Sequence, residues 1–197
     1  MSVIAPSGLQ TVKRVCSYRD FAIYMFGGGP SYVSSWMQRL GVGWLAWELT
    51  HSTTWLGIVA AADLAPMIVF APIAGAYTDR GNAYVQFTVT QFVLFGQAAA
   101  LAALQVLGML GIEALVLLSL WSGLAYPLHQ TSRHALVSRI VPRADLGPAI
   151  ATDSALFQAS RLVGPAIAAL VIVQWGVGAT FIAHAIGAGT DRKSTRL

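Results

Sequence analysis

Charge is scarce in this chain: only 10% of its 197 residues are charged, against about 25% in an ordinary soluble domain. With 56% hydrophobic residues and a mean hydropathy of +0.64, there are too few polar side chains to cover a water-facing surface. The composition therefore reads as that of a membrane protein. Cysteine is nearly absent. Cys16 stands alone, so no internal disulfide can mark an oxidising compartment. The net charge of +4 comes without a basic run interleaved with aromatics, which excludes a stripe for nucleic-acid backbone. No metal-ligand cluster and no phosphate-cradling glycine loop is present, so neither metal nor cofactor is expected. His129 and His134 are five apart and do not share a helix face, and Asp63 and Asp153 qualify as a proteolytic acid pair by count alone. No enzyme is expected. Residues 1–20 carry Lys13 and Arg14 but lead into a full-length apolar run with no small-residue cleavage site, unlike a signal peptide.

The chain instead holds long apolar runs. They cover residues 21–47, 54–77, 84–107, 112–129 and 149–173, and residues 176–190 read as a sixth run cut short. Each complete run is long enough for a bilayer core of about 30 Å. They are continuous rather than alternating, so helices are predicted and a barrel is not. The first run is the longest and must tilt or extend past the lipid. The domain reading is a tail over 1–20, a helical bundle over 21–190, and a separate segment over 191–197. That last segment, Asp191-Arg192-Lys193-Ser194-Thr195-Arg196-Leu197, is similar to a translated sequencing adapter and reads as non-native. A genuine basic tail is the alternative.

Lysine and arginine in the short connections give the orientation. Lys13, Arg14 and Arg19 precede the first run, Arg80 follows the second, and Arg133, Arg139 and Arg143 lie in a polar stretch over 130–148. The opposite connections hold Glu48, His51 and Glu113 and no Lys or Arg. The N-terminus is therefore expected on the cytoplasmic side. Trp44, Trp47 and Trp55 read as an interfacial belt, with Trp36 deeper and a possible aromatic platform.

Ionisable groups inside apolar runs are costly and point to function by default. Arg39, beside Gln38, lies eight residues before Trp47, and Asp63 lies nine residues after Thr54. At about 1.5 Å per residue the two reach similar depth in antiparallel neighbours, so they are expected to pair. Burial favours a neutral acid and a nearby guanidinium favours the carboxylate. Opposed influences of this kind suit a proton carrier, while a static ion pair is the alternative. In the fifth run Asp153, Gln158 and Arg161 form a second polar group. Asp153 could interact with the helix dipole alone, and Arg161 could meet an anionic substrate or a backbone carbonyl cluster in a central cavity. Pro30, Pro66, Pro72, Pro127 and Pro165 lie within the runs, with Gly27-Gly28-Gly29 ahead of Pro30. Such breaks suit helices that bend or pack closely at small residues.

Several of these stretches together resemble a family. Gly75-Ala76-Tyr77-Thr78-Asp79-Arg80 is similar to the start of the major facilitator loop signature, and Arg161-Leu162-Val163-Gly164-Pro165-Ala166 to the Gly-Pro motif of its antiporters. Trp36-Met37-Gln38-Arg39, the segment from Gly43 to Thr50, Val141 to Leu146, and Asp153 to Phe157 resemble the transmembrane secretion effector branch, which includes enterobactin-exporter-like proteins. The loop signature departs at Gly81-Asn82-Ala83-Tyr84, and Ala168-Ala169 stand in place of paired glycines. The resemblance implies an all-α polytopic membrane protein, the N-terminal six-helix half of a twelve-helix fold with its sixth helix truncated. It further implies proton-coupled efflux of a small molecule, such as a siderophore or drug, across the bacterial cytoplasmic membrane. Gly75, Asp79 and Arg80 would gate against the missing C-terminal half. Gly164 and Pro165 would shape the fifth helix. Gln38, Arg39, Asp63, Asp153, Gln158 and Arg161 would serve the cavity or proton coupling. A half-size protein that dimerises as a channel or partner subunit is the other reading.

Overall fold

A computed structural model describes the backbone of residues 8–194 and the side chains of residues 12–188. Seven helices follow in order: α1 (Gly8–Cys16), α2 (Arg19–Thr50), α3 (Thr53–Arg80), α4 (Ala83–Val106), α5 (Ile112–Ile140), α6 (Leu146–Trp175) and α7 (Gly178–Ser194). A 3-10 turn, Arg143–Asp145, leads into α6. There is no strand among the described residues. The expected non-native segment falls partly on the last turn of α7. Its side chains, and residues 195–197, lie outside the described residues, as do residues 1–7.

Short connections make neighbouring helices antiparallel. α2 and α3 are joined by His51 and Ser52 alone. His51 takes the left-handed conformation (φ 47°), and its N–H closes the end of α2 by donating to the Trp47 carbonyl. Asn82 caps α4 by accepting from the Tyr84 N–H at 3.0 Å. α2 is central and packs against α3, α5, α6 and α7.

The fourth apolar run does not end at His129. α5 continues to Ile140, so residues 130–140, read from composition as a polar connection, form helix. No glycine or proline interrupts the sequence between Leu128 and Val141, and the helix stops only ahead of Pro142, where the preceding residue is biased to extended backbone. α6 likewise starts three residues earlier than composition suggests, because Pro148 is tolerated in a first helical turn.

The surface is the reverse of a soluble protein's. Ile68 in α3 and Leu162 and Val173 in α6 are 71%, 79% and 85% exposed, while Gln38, Gln91, Gln97, Ser119, His129, Arg133 and Asp153 are buried. Polar groups inside and large apolar side chains outside fit lipid, not water. Among the described residues α3, α4, α5 and α6 are long and apolar enough to cross a membrane, and the apolar part of α7, Gly178–Ala188, is shorter. α2, at 32 residues, is long enough but is not among these four. Its central position explains this, because its polar side chains face the interior.

Two apolar clusters close the bundle. One gathers Leu45, Val59, Leu101, Leu115 and Phe181, where α2 ends and α5 begins. The other gathers Val15, Phe21, Tyr24, Val137 and Ala149, where α2 begins and α5 ends. The buried polar groups lie between them.

Candidate functional site

Between the two clusters lies a cavity of about 360 Å³, walled by α2, α3, α4, α5, α6 and α7. α2 contributes Ser31, Ser35, Trp36, Gln38 and Arg39 to its lining, all on one helical face by their spacing. Arg39 Nη2 stands 3.3 Å from Asp63 Oδ2, so the two charges brought to similar depth by the hairpin do meet. Both remain partly accessible from the cavity, with side chains 27% and 19% exposed. The Arg39 guanidinium also lies over the rings of Trp36 and Tyr126, at 5.0 and 5.1 Å.

Ser122 of α5 gives Asp63 a second partner. Its Oγ is 2.7 Å from Asp63 Oδ1 and 2.9 Å from the Ser119 carbonyl oxygen. A hydroxyl has one proton to donate and can also accept. Ser122 can therefore donate to an ionised Asp63, or donate to Ser119 and accept from a protonated Asp63. Gln38 Nε2 donates to Gln97 Oε1 at 3.0 Å, and Gln97 Nε2 donates to the Leu118 carbonyl at 3.2 Å. This chain of amides joins α2, α4 and α5 through the middle of the bundle.

A second charged cluster is absent from the sequence reading. Arg133, assigned there to a cytoplasmic connection, lies on α5 inside the bundle. Its Nη2 is 3.6 Å from Asp153 Oδ1, and both side chains are only 1% exposed. Tyr32 Oη donates to the same carboxylate, 3.1 Å from Oδ2, and His134 Nδ1 stands 4.0 Å from it. The guanidinium lies over the Tyr24 and Tyr32 rings at 4.4 and 4.2 Å. Gly28 leaves the room it fills, because a Cβ there would run into Arg133 Nη2. Gly28, within the run ahead of Pro30, thus makes space for a buried charge. Asp153 has a specific partner beyond a helix dipole, and its position two turns inside α6 explains why it needs one. The lack of glycine or proline between Leu128 and Val141 was the available signal for this pair.

The other expected site residues are placed as follows. Arg161 lines the cavity with its guanidinium 5.4 Å from the centre of the Trp36 ring. Gln158 is exposed and does not line the cavity. Asp79 and Arg80 are exposed at the end of α3, and Gly75 has open space beside it. Gly164 is different. A Cβ there would sit 2.6 Å from Trp36 Cβ and 2.9 Å from the Val33 carbonyl oxygen, so α6 can approach α2 this closely only without a side chain. Gly164→Ala is expected to destabilise the bundle by about 1–3 kcal/mol through overpacking. Thermal unfolding in detergent checks this, with the adjacent Pro165 left intact. Trp44, Trp47 and Trp55 are exposed near one rim, apart from Trp36.

At the end where α2 begins, α1 is fastened to the turn ahead of α6. Arg14 Nη2 is 2.6 Å from Asp145 Oδ1, and Tyr18 Oη donates to Asp145 Oδ2 at 2.8 Å. That hydrogen bond holds the Tyr18 phenol above its usual value of 10.0. Among the described residues no group of three or more potential metal ligands occurs.

The profile of the transmembrane secretion effector family matches residues 21–188. A staphyloferrin A transporter of Staphylococcus aureus (strain NCTC 8325 / PS 47) is 23% identical over 156 residues, which cover 79% of this chain and 39% of that protein. The chain thus spans about two fifths of the length of the curated relative it matches. No solved structure matches significantly.

Proposed function

Because the chain belongs to the transmembrane secretion effector family of the major facilitator superfamily, we propose that it forms the N-terminal half of a secondary transporter that exports a small molecule in exchange for protons. The observation that carries this reading is the Arg39–Asp63 pair, which faces the polar cavity between two apolar clusters. A proton arriving on Asp63 cancels its attraction for Arg39, and Ser122 can change from donor to acceptor to hold the neutral acid. Arg39 is then released toward the cavity. Protonation of Asp63 therefore changes what Arg39 can bind, which links proton occupancy to cargo occupancy at this pair.

Alternating access requires a partner half. Asp79 and Arg80 are exposed charges at the end of α3 that would pair across to that half and close the cytoplasmic side. Gly164 lets α6 ride on α2, with Pro165 beside it as a point of bending. The N-terminus is assigned to the cytoplasm of a bacterial inner membrane. With Arg133 withdrawn into the bundle, six basic residues remain on that side against none opposite, so the assignment keeps its sign. Contact of Arg14 with Asp145 supports placing the tail and the connection between α5 and α6 on one side. Similarity to a staphyloferrin A transporter supports a small-molecule cargo.

The test uses the longer protein of which this chain is proposed to form the N-terminal half, in everted membrane vesicles. Cargo should accumulate when respiration acidifies the lumen, and nigericin, which collapses the pH gradient, should stop it. Accumulation indifferent to the gradient would rule out proton exchange.

A further inference from the structure

The charges around the cavity do not balance. Arg39 is matched by Asp63 at 3.3 Å. Arg133 is matched by Asp153 at 3.6 Å. Arg161 also lines the cavity, yet among the described residues no carboxylate lies within ion-pair distance of it. An unmatched guanidinium at membrane depth is costly until an anion or a cluster of carbonyls meets it. Its neighbour is the Trp36 ring, at 5.4 Å. The same indole also receives Arg39 at 5.0 Å, and its Nε1 is buried with no hydrogen-bond partner among the described residues. One wall of the cavity therefore presents a cation beside an aromatic ring.

We propose that the cargo is an organic anion with a flat, delocalised face, its acid group held by Arg161 and its face stacked on Trp36. The assignment rests on the transporter reading above and adds the chemical class of what is carried. Guanidinium and carboxylate are both planar and match in a two-hydrogen-bond fork, and the indole face takes the remainder of such a molecule. A cation is disfavoured because Asp63 is already occupied by Arg39 and Ser122.

Three probes of nearly equal shape separate charge from size: benzoate, benzamide and benzamidinium. Each is titrated into the detergent-solubilised chain while tryptophan fluorescence is followed, and Trp36→Phe identifies the responding indole. Benzoate is expected to saturate with an affinity at least about tenfold above the other two, the scale of one charge-assisted pair. Arg161→Gln should bring the three together, and Arg161→Lys should keep part of the preference. The comparison of probes on the unaltered chain stands even if a variant fails to fold. Equal affinities, or benzamidinium binding best, would overturn the assignment, as would unchanged benzoate binding in a folded Arg161→Gln. So would loss of benzoate binding in the longer protein, where a carboxylate of the other half would then occupy Arg161. Transport of cations by the longer protein would remove the anion assignment and leave the transporter reading standing. Benzoate bound at Arg161 without any transport would do the reverse.

Discussion

Asp63→Asn is expected to abolish proton-driven transport by the longer protein while leaving the bundle folded. The carboxamide keeps the size of the side chain, so the packing of α2 on α3 should change little. It can still accept from Ser122 Oγ, which stands 2.7 Å from the native carboxylate. What it cannot do is take up and release a proton. Arg39 would lose its counter-charge but keep the Trp36 and Tyr126 rings at 5.0 and 5.1 Å, and both it and Asp63 remain partly accessible to cavity water. The stability cost should therefore be modest, in contrast to a fully buried pair. Expression and circular dichroism should match the unaltered protein, and vesicle uptake should fall to background. Normal uptake by the variant would make the Arg39–Asp63 contact a static tie.

The Arg133–Asp153 pair should behave in the opposite way. Both side chains are 1% exposed, and removing one partner strands a charge among apolar walls. Asp153→Ala is expected to cost about 3–5 kcal/mol, and Arg133→Met a similar amount. Replacing both at once, Arg133→Met with Asp153→Leu, removes the stranded charge and should recover most of the loss. Thermal unfolding of the three variants in one detergent gives the comparison. Additive losses in the double variant would show that the charges do not compensate each other, and that the Tyr24 and Tyr32 rings hold Arg133 in place.

The cavity pair was legible because it needs only depth. Arg39 and Asp63 sit at matching distances from a two-residue turn, and an antiparallel hairpin brings such residues together whatever the surrounding helices do. The all-helical class was legible from the continuous apolar runs, and the motifs on those runs and connections pointed to the family. Arg133 was not legible by composition. Gln130 to Ile140 is polar enough to resemble a connection, and only the lack of glycine or proline showed that α5 continues. The role of Gly28 was hidden more deeply, because it depends on where a guanidinium from α5 arrives. Gln97, one of four glutamines in the third run, gave no signal of its own, although it links Gln38 to the Leu118 carbonyl. Gln158 shows the reverse failure. Being polar inside an apolar run it looked like a cavity residue, yet α6 turns it outward.

Proton movement coupled to cargo tests the central claim most directly. Vesicles of the longer protein are loaded with a pH-sensitive dye and held without respiration, and cargo is added outside. The account predicts a cargo-dependent pH change inside the vesicles that is lost in Asp63→Asn. Cargo flux that moves no protons, or a pH change that survives in Asp63→Asn, would contradict it.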